Sequence, residues 1–201
     1  MSARRVCLFG GTFDPPHVGH LLIAQVAAEE WGADVVLFVP ASVPPHKAPE
    51  GVSGALDRVA LVEKAIGEFP LFDVSRIELD RPGPSFTADT VLQFREMWPD
   101  AKLAFLLGAD MLQTFFTWER VQDLVAHADL LVAPRPQVDL ESSARQVRLE
   151  MPDIALQPLD MPALDISSSW LRNRLAQNLR CEFLLPKGVA ELIVQKGMYK
   201  S

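Results

Sequence analysis

Apolar positions along the chain switch repeatedly between two periods. Short β-rich runs cover residues 5–9, 34–39, 72–79, 102–107 and 129–133. Between them, residues 18–31, 56–69, 87–98 and 118–127 carry apolar side chains every three or four positions, the spacing of one buried helix face. The pattern predicts strands joined by crossover helices, hence an α/β class with a doubly wound, mainly parallel sheet flanked by helices. Ligands of such sheets bind beyond the carboxyl ends of the strands. Residues 136–162 are less regular, with a polar helical stretch near 140–149 and a sixth strand at 154–157, and helices at 168–177 and 189–196 follow.

Proline sharpens this picture. The chain has 16 prolines, and Pro15, Pro16, Pro44, Pro45, Pro82, Pro84, Pro134 and Pro136 all fall between predicted elements. Their fixed φ stiffens loops that lie where an open sheet carries its site. At 201 residues the expectation is a single domain over 1–201 that buries roughly 70% of its unfolded surface. No apolar run reaches the ~18 residues of a membrane span, and the net charge of −7 comes with no basic block, so neither membrane nor nucleic-acid partners are expected. Cys7 and Cys181 form no CxxC pair, which fits a reducing, cytoplasmic setting.

Chemistry concentrates at two places. The first predicted strand runs into Gly10-Gly11-Thr12-Phe13-Asp14-Pro15-Pro16-His17-Val18-Gly19-His20, and a helix begins there. Glycines let backbone amides approach a phosphate, and a helix start favours negative charge. Neither the P-loop nor the GxGxxG spacing is present. His17 and His20, three residues apart, share one face and can donate to the same phosphate; a metal reading lacks further ligands. Near the other end, Ile166-Ser167-Ser168-Ser169-Trp170-Leu171-Arg172 places Ser167 or Ser168 as a helix cap and Arg172 about one turn later.

The first segment resembles the HxGH signature of the nucleotidyltransferase superfamily, and the second is similar to its ISSTxxR motif, with Ser169 for threonine. Across nearly its whole length the chain resembles the nicotinate-nucleotide adenylyltransferase family. Val43-Pro44-Pro45-His46-Lys47, Pro84-Ser85-Phe86-Thr87, Leu107-Gly108-Ala109-Asp110 and Phe116-Thr117-Trp118 carry that likeness. The resemblance implies a Rossmann-like domain of nucleotidyltransferase type that moves AMP from ATP to nicotinate mononucleotide. The products would be nicotinate adenine dinucleotide and pyrophosphate, on the route to NAD, with Mg²⁺ accompanying ATP.

By the same resemblance, His17, His20 and Arg172 are the catalytic candidates. ATP would be met by Gly10, Gly11, Thr12, Phe13, His20, Gly108, Asp110, Ile166, Ser167, Ser168 and Arg172. Nicotinate mononucleotide would be met by His46, Lys47, Ser85, Phe86, Thr87, Trp118 and Arg135. No residue is assigned to a metal. On the residues alone, Trp118 at a helix start is either a core aromatic or a flat face for a pyridinium ring, and Asp110 is either an N-cap or a ribose ligand. Phe86, Gln137 and Phe116 depart from the tyrosine, glycine and proline usual in the family. The terminal Lys196-Gly197-Met198-Tyr199-Lys200-Ser201 reads as the solvated end of the last helix. Monomer and homodimer both remain open.

Overall fold

The computed structural model describes residues 3–42, 52–67 and 69–200. Six strands, β1 (Arg5–Gly11), β2 (Val35–Pro40), β3 (Phe72–Val74), β4 (Lys102–Gly108), β5 (Asp129–Ala133) and β6 (Leu156–Pro158), form one sheet in the order β3-β2-β1-β4-β5-β6. Every paired neighbour is parallel. The helices are α1 (Val18–Trp31), α2 (Ala55–Ile66), α3 (Thr87–Met97), α4 (Ala109–Leu112), α5 (Val121–His127), α6 (Leu140–Glu150), α7 (Ser168–Ala176) and α8 (Lys187–Lys196), with a 3₁₀ turn at Phe115–Thr117.

The period of two in the strands decides which layer each side chain joins. Cys7 and Phe9 of β1, Val36 and Phe38 of β2, and Ala104 and Leu106 of β4 face one core together with α1, α2, α7 and α8. Val6, Leu8, Val35, Leu37, Leu103 and Phe105 face the other, under α3, α5 and α6. Both faces are covered, so the central strands can be apolar throughout, as the unbroken burial of β2 illustrates. Cys7 lies at the centre of β1, and burial pushes its thiol up to about 12, which makes it a packing residue.

The strand order reverses at β1, between β2 and β4. Chains leaving β1 and β4 therefore diverge and open a crevice at their carboxyl ends. Two expectations need correction. The third strand ends at Val74 rather than residue 79, because after Ser75 N–H bonds to Phe38 O the chain turns, with Leu79 and Asp80 N–H both bonding to Arg76 O. The fourth crossover helix starts at Val121, not at residue 118, since the short α4 and the 3₁₀ turn precede it.

Candidate active site

The crevice has two lobes. The larger, about 590 Å³, is walled by the loop after β1 (Gly10 to Phe13), the segment Ser85 to Thr87, the end of β4 and the Trp118 turn. The smaller, about 390 Å³, lies between the start of α1 and the residues Leu164 to Ser169. His20, Asp110 and Arg135 line both lobes and mark their junction. Each lobe falls within the usual size of a small-ligand pocket.

The histidine pair is built by the helix start. His17 is the N-cap of α1 with extended backbone (φ −143°), and its N–H donates to His20 Nδ1 at 3.2 Å. With Nδ1 accepting, neutral His20 carries its proton on Nε2. Phe9 and Phe13 hold the His20 ring at centroid distances of 6.0 and 5.1 Å, and the His17 ring lies across it at 3.7 Å. His17 is 2% exposed and its Nδ1 is buried. Burial, reinforced by the Arg135 charge, lowers its pKa from 6.5 to about 4. At neutral pH His17 is therefore an uncharged ring beside a helix N-terminus, a surrounding that favours an incoming anion.

A side chain would crowd its neighbours at three of the predicted contacts. A Cβ on Gly11 would sit 2.7 Å from the Phe13 ring, and one on Gly10 would sit 3.1 Å from Phe105. At Gly108 it would strike Asp110 and come within 2.9 Å of Arg135 Nε. Gly108 is also the N-cap of α4, so Asp110 is not the cap. Its half-exposed carboxylate instead faces Arg135 Nε at 3.4 Å.

At α7 the cap is Ser167, whose Oγ accepts from Trp170 N–H at 3.2 Å. Ser168 Oγ donates to Pro15 O at 2.8 Å and ties α7 to the loop after β1. Ile166 and Ser167 line the smaller lobe with Ser168. Arg172 lines neither lobe. Its guanidinium donates to Asp14 O at 2.7 Å and to Ser169 Oγ at 3.3 Å, one bond behind the wall of the smaller lobe.

The acceptor-side candidates divide. Trp118 caps the 3₁₀ turn rather than starting a helix; its ring packs against Phe105 and Phe115 and lines the larger lobe. Its indole N–H is buried without a partner among the described residues. Phe86 and Thr87 line the same lobe. Ser85 accepts from Ser42 N–H at 3.1 Å, which gives it a bracing contact. His46 and Lys47 lie outside the described residues.

Three polar groups with interior contacts, two buried and one partly buried, escaped the sequence reading. Arg58 is 1% exposed and donates to the carbonyls of Thr12 (2.9 Å), Ala41 (2.6 Å), Ser42 (3.2 Å) and Ser53 (3.0 Å). It thereby ties the loop after β1 to both Ser42 and Ser53. Its signal was present: it stands in the apolar stripe of α2 with Leu61, Val62 and Ala65. Glu78 lines the larger lobe, and burial pushes its carboxyl above the usual range against hydrogen bonds from Thr90 and Ser85. Tyr199 contradicts the solvated-end reading, since its hydroxyl donates to the buried Asp14 Oδ1 at 2.5 Å. It is the one tyrosine of the sequence.

The Cytidylyltransferase-like family model matches residues 8–174. A relative from Thermus thermophilus, named "Probable nicotinate-nucleotide adenylyltransferase", is 41% identical over 196 residues, covering 98% of this chain and 100% of its own. A relative of the same name from Halalkalibacterium halodurans is 38% identical over 199 residues, covering 98% and 92%. Among solved structures, Plasmodium falciparum nicotinic acid mononucleotide adenylyltransferase complexed with NaAD matches with a TM-score of 0.79 at 18% identity, covering 98% of this chain and 97% of that one. The same protein complexed with APC matches with 0.78. At that identity the structural likeness carries the fold.

Proposed function

This chain belongs to the nicotinate-nucleotide adenylyltransferases within the cytidylyltransferase-like family, and on that premise we propose how its own residues carry the reaction. The chain transfers the adenylyl group of ATP to nicotinate mononucleotide, releasing pyrophosphate and forming nicotinate adenine dinucleotide, a step of NAD biosynthesis. The observation that supports our assignment of roles is the two-lobed crevice joined at His20, Asp110 and Arg135. Two nucleotides that must meet phosphate to phosphate need such a pair of adjoining spaces.

Nicotinate mononucleotide occupies the larger lobe, with its ring between Trp118 and Phe86 and with Thr87 and the unpartnered indole N–H as polar contacts. ATP extends from the smaller lobe, where Ile166, Ser167 and Ser168 run along the nucleotide, to the junction, where Asp110 meets the ribose with Gly108 on the larger-lobe side. The α-phosphate lies at the junction. There the acceptor's 5′-phosphate oxygen attacks the α-phosphorus in line; the new P–O bond forms as the bond to pyrophosphate breaks, and no enzyme-bound intermediate arises.

With direct in-line transfer, the chain's contribution is positioning and charge stabilisation. His20 Nε2–H donates to the α-phosphate oxygens as they gather charge, with His17 beside it. Gly10, Gly11, Thr12 and Phe13 present the loop that faces those oxygens. Arg172 serves the β and γ phosphates, and Arg135 neutralises charge at the junction.

Mg²⁺ would enter with ATP and would supply neutralisation of charge on its phosphates. Among the described residues no three His, Cys, Asp or Glu side chains converge on one point, and small, strongly hydrated Mg²⁺ is commonly held by phosphates and water. The protein-side steps are assigned to histidines, arginines and backbone amides. We place the reaction in the cytoplasm, where ATP and free thiols coexist; no helix among the described residues is long and apolar enough to cross a membrane.

The test is pyrophosphate release with ATP, Mg²⁺ and one acceptor at a time. Nicotinate mononucleotide should turn over strongly and phosphopantetheine should not. Turnover with phosphopantetheine alone would overturn the assignment of the larger lobe.

A further inference from the structure

Asp14 is fully buried, and the structure accounts for each of its oxygens. Oδ2 accepts from Ser53 N–H at 3.1 Å, Oδ1 accepts from the Tyr199 hydroxyl at 2.5 Å, and the backbone oxygen accepts from Arg172 Nη1 at 2.7 Å. That same Nη1 lies 3.9 Å from Oδ2. Arg58, the other nearby cation, is already committed to four carbonyls. Among the described residues, Arg172 is thus the neighbouring cation with a path to the Asp14 carboxylate.

Tyr199 reaches Asp14 by an unusual backbone route. Gly197 ends α8 in the left-handed region at φ 62°, with Met198 N–H bonding to Ile193 O at 3.0 Å. Tyr199 then adopts φ 61°, which costs a bulky side chain energy and persists only where surrounding contacts determine it. Its ring is partly buried, and burial together with Asp14 pushes its hydroxyl well above the usual range, so it remains a donor.

We propose that Tyr199 is a positioning residue for adenylyl transfer: by donating to Asp14 Oδ1, its hydroxyl offsets the carboxylate charge, so that Arg172 rests on Asp14 through the backbone oxygen alone and can turn from there to the triphosphate. The proposal rests on the reading of Arg172 as the triphosphate ligand. Without the hydroxyl, the buried carboxylate loses one of its two donors and attracts the nearest cation more strongly; Arg172 Nη1, already on Asp14 O and 3.9 Å from the other carboxylate oxygen, Oδ2, is that cation. ATP must then compete with Asp14 for the same guanidinium.

The experiment compares four variants by steady-state kinetics and thermal unfolding. Tyr199→Phe should raise KM for ATP about tenfold, the scale of one charge-assisted contact, and leave kcat and KM for nicotinate mononucleotide within about twofold. Adding Asp14→Asn to Tyr199→Phe should recover most of the ATP affinity, since a neutral amide does not capture Arg172. Lys196→Ala removes the ion pair with Asp57 that anchors the same terminal turn, and should lower Tm without moving KM for ATP. If Tyr199→Phe behaves like Lys196→Ala, or if Asp14→Asn gives no recovery, the hydroxyl is a structural strap only and the proposal falls. Arg172→Ala reads the premise separately: an unchanged KM for ATP there would overturn the Arg172 assignment itself. A raised one beside a silent Tyr199→Phe would overturn the positioning role alone.

Discussion

His17 supplies a prediction whose size follows from its burial. Folding lowers its pKa from 6.5 to about 4, so the unfolded chain binds the proton more tightly than the native one. Stability then rises with pH across that window, by about 1.4 kcal/mol per unit. The contribution is fully present above about pH 6.5 and is lost as pH falls toward about 4, for a total of roughly 3 kcal/mol. Other groups titrate over the same range, so the quantity to measure is a difference. Urea unfolding of the wild type and of His17→Asn, followed by tryptophan fluorescence at about pH 7 and about pH 5, removes the shared terms. Between those two conditions the wild type should lose about 2 kcal/mol more than the variant. A gap that does not change with pH would refute the buried neutral imidazole, as would a native-state titration of His17 near 6.5 by NMR.

Two further outcomes follow from the site. His20→Ala should lower kcat by roughly 10²–10³ with little change in either KM, the scale of one lost donor to a developing charge; a full-rate variant would remove His20 from the mechanism. Arg58→Met leaves four carbonyls without their shared donor and should cost about 3–5 kcal/mol of unfolding free energy, with a raised KM for nicotinate mononucleotide at a temperature where the variant is folded. Loss of stability below about 1 kcal/mol by urea titration would contradict the view of Arg58 as the tie between the loops.

The sheet is legible in the sequence because its apolar runs are dense: each central strand places apolar residues on both faces, and Gly or Pro marks most exits. The β1 loop and the α7 start are legible as chemistry because helix starts, glycines and donors stand together in the chain. The pattern overextends the Phe72 strand because Ile77 and Leu79 again alternate with polar residues, although one position out of phase with Phe72 and Val74, while backbone bonds to Arg76 turn the chain away from the sheet. Trp118 reads as helical because its spacing to the next apolar residues fits a helix, whereas Arg120 at φ 54° separates the 3₁₀ turn from α5.

The polar braces are hidden for a different reason. Arg58, Glu78 and Tyr199 reach partners as far as 46, 12 and 185 positions away, and those of Arg58 are backbone oxygens that carry no residue signature. Local patterns do not encode such contacts; an arginine in an apolar helix stripe is the one local clue. Arg172 shows the converse. Its motif names the residue, but only the structure reveals that Asp14 holds it behind the wall of the lobe it serves.

The central claim is that the acceptor's own phosphate oxygen attacks the α-phosphorus of ATP within the joined lobes. Nicotinate mononucleotide carrying heavy oxygen in its phosphate tests it directly, with mass spectrometry of both products. The account predicts all of the label in nicotinate adenine dinucleotide and none in pyrophosphate. Label in pyrophosphate, or pyrophosphate released without the dinucleotide, would contradict it.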